Sequence, residues 1–112
     1  MSRPNLSRRL VLEEPTRVSD GAGGATTAWA PKGELWAEVT PQAPREALAV
    51  GGPTQRLPFR ILLRGAPPGA PSRPKAGQRL REGTRLYLID SVAEADALGR
   101  FLLCLAHEEA VP

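Results

Sequence analysis

Glycine and proline punctuate this chain so often that long helices have little room. The 112 residues include 11 Gly and 12 Pro, about a fifth of the sequence. Proline removes a backbone donor and fixes φ, which a helix interior does not tolerate. Between these breakers the apolar residues come in short runs with a period of two, the pattern of half-buried strands. Residues 9–14 (Arg-Leu-Val-Leu-Glu-Glu) predict a short strand stopped by Pro15. Residues 18–24 carry Asp20-Gly21 and two further glycines and predict a turn. Residues 25–29 (Ala-Thr-Thr-Ala-Trp) predict the returning strand of a hairpin, with β-branched and aromatic side chains suited to a pleated surface. Pro31 and Gly33 break or bulge the chain before residues 34–40, where Leu35, Ala37 and Val39 alternate with Glu34, Trp36 and Glu38.

Two stretches interrupt this rhythm. Residues 41–55 run from Pro41 through Pro44 to Gly51-Gly52-Pro53, and residues 65–77 hold four prolines and three glycines. Both read as long loops, the second with extended, polyproline-like character. Between them Leu57, Phe59, Ile61 and Leu63 face one side while Arg60 and Arg64 face the other. Pro58 places that strand at an edge or at a bulge. Residues 78–90 read as a hairpin turning at Glu82-Gly83. Residues 92–98 read as a loop or a single helical turn, and residues 100–108 close the sheet. The near-continuous apolar run of that last segment predicts a strand buried on both faces, or one whose outer face meets another subunit.

These elements predict an all-β chain: a small antiparallel β-barrel or sandwich of six to seven short strands with two long Pro/Gly-rich loops, forming one domain over residues 1–112. The candidate core is Trp36, Val39, Phe59, Ile61, Leu63, Leu86, Leu88, Phe101 and Leu103. No apolar run approaches the length of a membrane helix, and the start Met-Ser-Arg-Pro-Asn has no apolar stretch of the signal-peptide kind.

Residues able to do chemistry are scarce. Cys104 and His107 are the only Cys and His, too few for a structural zinc site or an internal disulfide. Three apart on a strand, they point to opposite faces and cannot act as a nucleophile–base pair. Cys104 reads as a buried thiol and His107 as an exposed imidazole. The carboxylate pairs Glu13-Glu14 and Glu108-Glu109 read as solvated strand ends, and residues 21–24 lack the following helix and Lys-Ser/Thr of a phosphate loop. The expectation is no enzyme, no cofactor and no metal. The charge of +3 is a weak footprint for nucleic acid, since both signs are interspersed and most Arg read as solvated strand faces.

The order of segments nevertheless resembles a known family. Leu-Ser-Arg-Arg-Leu-Val-Leu-Glu-Glu-Pro-Thr-Arg (6–17) is followed by Asp20-Gly21-Ala22-Gly23-Gly24, Thr27-Ala28-Trp29, Leu35-Trp36-Ala37-Glu38-Val39 and Pro41-Gln42-Ala43-Pro44-Arg45-Glu46. A strand like residues 60–64, a Pro/Gly loop, a hairpin ending like residues 85–92 and a final strand like residues 101–106 complete the pattern. Over about residues 5–109 this resembles the head-tail joining family of siphophage-like particles, also called head-closure or stopper proteins. Residues 65–77 depart from it by lacking the shorter family turn. The Arg-rich, Lys-poor composition fits a phage, prophage or gene transfer agent of a GC-rich bacterium.

The resemblance implies a structural neck protein. It would form a ring, roughly six or twelve copies closed by a heterologous interface, between the portal or adaptor and the tail. Implied partners are a second copy of the chain, the adaptor or portal-side neck protein, the tail terminator or tail tube, and packaged double-stranded DNA, with no membrane. Implied localisation is the neck of a virion-like particle assembled in the bacterial cytoplasm. The 41–55 excursion supplies the candidate channel or inter-subunit residues: Arg45, Glu46, Leu48, Val50 and Arg56. The alternative is a small basic OB- or SH3-like barrel that binds single-stranded nucleic acid, with exposed aromatics between Arg side chains as stacking platforms.

Overall fold

A computed structural model of the chain describes residues 4–42 and 57–109. Six antiparallel strands run in the order β1 (Arg8–Ser19), β2 (Ala25–Pro41), β3 (Leu57–Arg64), β4 (Arg79–Glu82), β5 (Arg85–Glu94) and β6 (Phe101–Glu109). Among the described residues there is no helix, and so none long and apolar enough to cross a membrane. The hydrogen-bonded neighbours are β1-β2-β3-β6-β5-β4, and the ring closes where β4 returns to β1 over Val11↔Arg81, Leu12↔Leu80 and Glu13↔Arg79. Closure removes the sheet edges that an open sheet of this size would expose.

Alternation along each strand sends one face inward. Leu10 and Leu12, Ala37, the set Phe59, Ile61 and Leu63, Leu80, the pair Tyr87 and Ile89, and Leu102, Cys104 and Ala106 fill the interior. Leu35, Val39 and Val92 pack partly against them. The Phe59 and Tyr87 rings meet edge to face, 5.2 Å apart at 78°, an arrangement favoured by the aromatic quadrupole. Removing a buried side chain of this kind costs about 2–5 kcal/mol, because the void adds to the lost transfer energy.

Several expected core residues lie on the outer face instead. Trp36 is 54% exposed, since it shares its face with Glu34 and Glu38 while Ala37 points in. In β5 the inward residues are Tyr87 and Ile89, which turns Leu86 and Leu88 outward to partial burial. In β6 the inward set is Leu102, Cys104 and Ala106, and Phe101 and Leu103 take the outer wall, half-buried. A strand apolar on both faces carries no phase of its own, so pairing with β3 (Ile61↔Cys104, Leu63↔Leu102) decides it.

Pro15 does less than expected, while Pro31 and Gly33 make a bulge, one of the two outcomes expected there, without ending the strand. β1 continues through Pro15, and β2 is one 17-residue strand through Pro31 and Gly33. The register shifts there, with Leu12↔Gly33 followed by Glu13↔Pro31. Lys32 is the extra residue of this bulge, and Gly33 at φ 146° accommodates it. Pro58 lies on no edge. β3 sits between β2 and β6, and Pro58 keeps its place because Gln42 N–H donates to its carbonyl at 3.0 Å, so only the return bond is lost. β5 also runs on to Glu94 through the segment expected as a loop.

Beyond the barrel, β1 and β2 extend as a two-stranded arm. Residues 14–19 pair only with residues 25–30, from Glu14↔Ala30 to Ser19↔Ala25, a reach of about 20 Å at the usual rise per residue. The arm lengthens the molecule: the radius of gyration is 15.2 Å, against about 13 Å for a compact chain of this size. Its tip is built by Asp20, whose Oδ1 accepts from Ala22 N–H (2.8 Å) and Gly24 N–H (3.0 Å). Gly21 and Gly23 turn with φ of 79° and 85°. A Cβ at Gly24 would lie 2.6 Å from Asp20 Oδ2, so a larger residue there would have to push the Asp20 carboxylate aside.

Candidate functional site

Two features stand out on the surface, the arm and the ion-paired groups at its root and along the barrel. The root is centred on Glu13. Its carboxylate lies on the outer face yet is only 5% exposed, because Arg79 (2.7 Å) and Arg81 (2.9 Å) of β4 each donate to one of its oxygens. The Arg79 guanidinium stacks 4.2 Å over the Trp29 ring of the arm, and Lys32 of the bulge reaches Glu14 at 3.4 Å. Burial alone would raise the Glu13 pKa, but the hydrogen bonds from Arg79 and Arg81 outweigh it and hold the carboxyl below its ordinary value. The expectation of a solvated strand end at Glu13 is therefore corrected: β4 supplies two cations that the linear sequence places 66 and 68 residues away.

The opposite end of the barrel carries a second set. Arg8 Nε donates to Glu82 Oε2 at 2.9 Å, its Nη2 to Glu82 Oε1, and Nη2 also to the Tyr87 hydroxyl at 3.3 Å. The Arg8 hydrogen bond lowers the Glu82 pKa below the usual carboxylate range, and burial raises that of Tyr87. Arg85 donates from Nε to Glu108 at 2.7 Å and lies 5.2 Å from the Tyr87 ring centroid. Arg85, expected on a solvated strand face, instead ties strand ends together, as Arg8 does.

His107 is also corrected, from exposed to 9% exposed. Its Nδ1 sits 2.9 Å from Asp90 Oδ2, and Asp90 is the extra residue of a bulge between Ile89↔Ala106 and Ser91↔Leu105. The bulge turns the carboxylate over the imidazole, a placement that no local pattern announces. Cys104 points into the core with its thiol pKa pushed up to about 12 by burial. The two residues are held on opposite faces, and no nucleophile–base contact forms between them. No three His, Cys, Asp or Glu side chains converge on a metal position among the described residues.

The candidate channel residues Arg45, Glu46, Leu48, Val50 and Arg56 lie outside the described residues. The structure does place the two ends of that segment side by side, since Gln42 bonds to Pro58 at one end of β2 while the arm leaves from the other. The aromatics do not form a stacking platform. Phe59 and Tyr87 are inside, Trp29 lies under Arg79, Phe101 is half-buried, and Trp36 alone is more than half exposed among the described residues. Leu105 is 37% exposed on the outer wall of β6. A cleft of about 500 Å³ lies between Pro4, Leu6, Arg64, Arg100 and Phe101.

A small closed antiparallel barrel with a projecting hairpin is the class that this geometry defines. The sequence matches the phage head completion protein family over residues 1–109, and the chain belongs to that family. It is similar to a chain in the solved virion of a native gene transfer agent particle, with 46% identity, a TM-score of 0.79, and coverage of 98% of this chain and 100% of that one. The solution structure of protein SF1141 from Shigella flexneri 2a shares the fold at 23% identity and a TM-score of 0.71, covering 100% of both chains. No curated protein matches.

Proposed function

We propose that this chain is a structural, non-enzymatic neck protein of a tailed phage-like or gene transfer agent particle. In this reading it forms a ring between the portal or adaptor and the tail, closes the DNA-filled head and provides the surface on which the tail docks. The observation that carries the reading is the near-complete likeness, at 46% identity, to a chain of a gene transfer agent virion, together with membership of the head completion family. The fold is consistent with it. The closed barrel suits a rigid wedge, and the arm and the start of residues 43–56 lie at opposite ends of β2. Residues 43–56, with Arg45, Glu46, Leu48, Val50 and Arg56, face the channel or the next subunit in this reading.

Cells that make the particle without this chain should yield heads that lose their DNA and carry no tails, seen by electron microscopy and nuclease sensitivity of the packaged DNA. Normal tailed particles from such cells would overturn the assignment. Deleting residues 42–54 should leave a folded monomer, because Pro41 and Phe59 on either side of the cut are already paired across β2 and β3, and should yield leaking or tailless particles.

A further inference from the structure

We propose that the cleft between the N-terminal segment and the adjoining ends of β3 and β6 is a docking site for an acidic, apolar segment of a different protein of the particle. The inference rests on the neck reading above for the source of that segment, while the chemistry it must carry follows from this chain alone.

Three pieces of backbone build the cleft. β3 ends at Arg64, opposite Phe101 at the start of β6. Gly65 N–H donates to the Arg100 carbonyl at 2.7 Å, and a Cβ on Gly65 would collide with the Gly99 carbonyl oxygen. This close approach fixes the two strand ends side by side. The N-terminal segment supplies the third wall. Asn5 N–H donates to Glu38 Oε2 at 2.8 Å, and the Asn5 carbonyl accepts from Ser7 N–H at 2.9 Å. The recess of about 500 Å³ that results is lined by Pro4, Leu6 and Phe101 together with the cations Arg64 and Arg100.

The two arginines have donors to spare. Arg100 Nε donates to Asp96 Oδ2 at 3.0 Å, and Asp96 Oδ1 accepts from Phe101 N–H at 3.2 Å. The guanidinium is thereby anchored at its base, with its terminal amino groups making no hydrogen bond among the described residues. Arg64 is exposed and joins no ion pair among the described residues. A guanidinium fork matches a carboxylate, and apolar walls beside it favour an aliphatic or aromatic side chain next to that carboxylate. The apolar footing continues past Phe101 along the outer wall, through Leu103, which pairs with Leu62, to Leu105.

The chain's remaining segments are a poor source of this ligand. Residues 1–3 and 110–112 contain no Asp or Glu. The single carboxylate of residues 43–56, Glu46, belongs to a segment that joins β3 at Leu57, the far end of that strand from Arg64. Duplex DNA fits less well than a protein segment. Its phosphates would meet Glu38 and Asp96 beside the arginines, and the apolar walls offer a polyanion nothing.

The test is photo-cross-linking in particles assembled with the full chain carrying p-benzoylphenylalanine in place of Asn5, an exposed position whose structural bonds are all main-chain. The expected adduct, read by mass spectrometry, is a peptide of another particle protein with Asp or Glu beside an apolar residue. Adducts only with this chain would overturn the proposal in favour of a second copy or residues 43–56. Adducts with packaged DNA, with a peptide lacking a carboxylate, or with nothing would also overturn it. Arg64→Glu should lose the adduct, and exchanging the captured carboxylate for Arg should restore it. Arg60→Glu, exposed on the same face of β3 but outside the cleft, should keep it. Equal loss from both variants would overturn the proposal in favour of diffuse charge attraction. Wild-type particles that lack the chain would overturn the neck reading and this inference with it, whereas a chain present without the adduct overturns this inference alone.

Discussion

The barrel and the arm are made from the same two strands, yet they are stabilised in different ways. Within the barrel, β1 and β2 bury Leu10, Leu12 and Ala37, and each bonds to a further strand on its other side, β1 at residues 11–13 and β2 at residues 37–41. From Glu14 on β1 and up to Ala30 on β2 the same strands bury little and bond only to each other. A lone two-stranded ribbon is marginal in water, so the arm depends on its root: the Glu13–Arg79–Arg81 cluster and the Trp29 ring under Arg79. The difference teaches that the chain folds around the barrel and holds the arm out from it.

The largest expected break between the two regions is energetic. Tyr87→Ala should destabilise the chain by about 3–5 kcal/mol in denaturant unfolding, while Val18→Ala on the 47%-exposed arm position should change it by about 0.5 kcal/mol or less. Equal effects would mean that the arm is part of the folding core.

The root comes next. Glu13→Gln leaves Arg79 and Arg81 facing a neutral amide, and the loss should be about 1–3 kcal/mol. The folded Glu13 and Glu82 pKa values both lie below their ordinary values. The unfolded chain therefore binds more protons in the acid range. The stability from these groups is fully present above about pH 5, and it falls as pH drops through the folded pKa values. A pH series of unfolding midpoints should show this decline, and Glu13→Gln should flatten it.

Smaller effects sharpen the comparison further. Cys104 should react with iodoacetamide only as fast as the barrel opens globally, with its thiol both buried and raised to about 12. A cysteine placed at Thr27 in the arm should react at once. Asp20→Ala should cost only about 0.5 kcal/mol or less in global stability, but should speed amide exchange at Ala22 and Gly24, whose N–H groups it now binds.

Much of the barrel was legible because period-two patterns mark strands wherever one face is polar. Phe59, Ile61 and Leu63 against Arg60 and Arg64 are the clear case, and the Asp20-Gly21 turn marked the hairpin. The pattern failed where both faces are apolar. Residues 101–106 of β6 have no polar face to set a phase, and the choice of Leu103 over Leu102 as core went the wrong way for that reason. Trp36 shows a different failure, since placing it in the core went against the alternation that sets it on the face of Glu34 and Glu38. Glu13 and His107 were illegible for a third reason. Their burial comes from β4 and from the Asp90 bulge, partners fixed by barrel closure and register rather than by sequence spacing. The 43–56 residues singled out as a site rest on the family resemblance and remain part of the proposal.

The continuity of β2 has a mechanical consequence. One unbroken strand runs from the arm to the start of residues 43–56, flanked in the barrel by β1 on one side and β3 on the other. A pull on the arm along that strand loads those flanking hydrogen bonds in shear, all together, rather than peeling them apart one at a time. Within the subunit, β2 thus acts as a tie-rod between the arm and the start of residues 43–56.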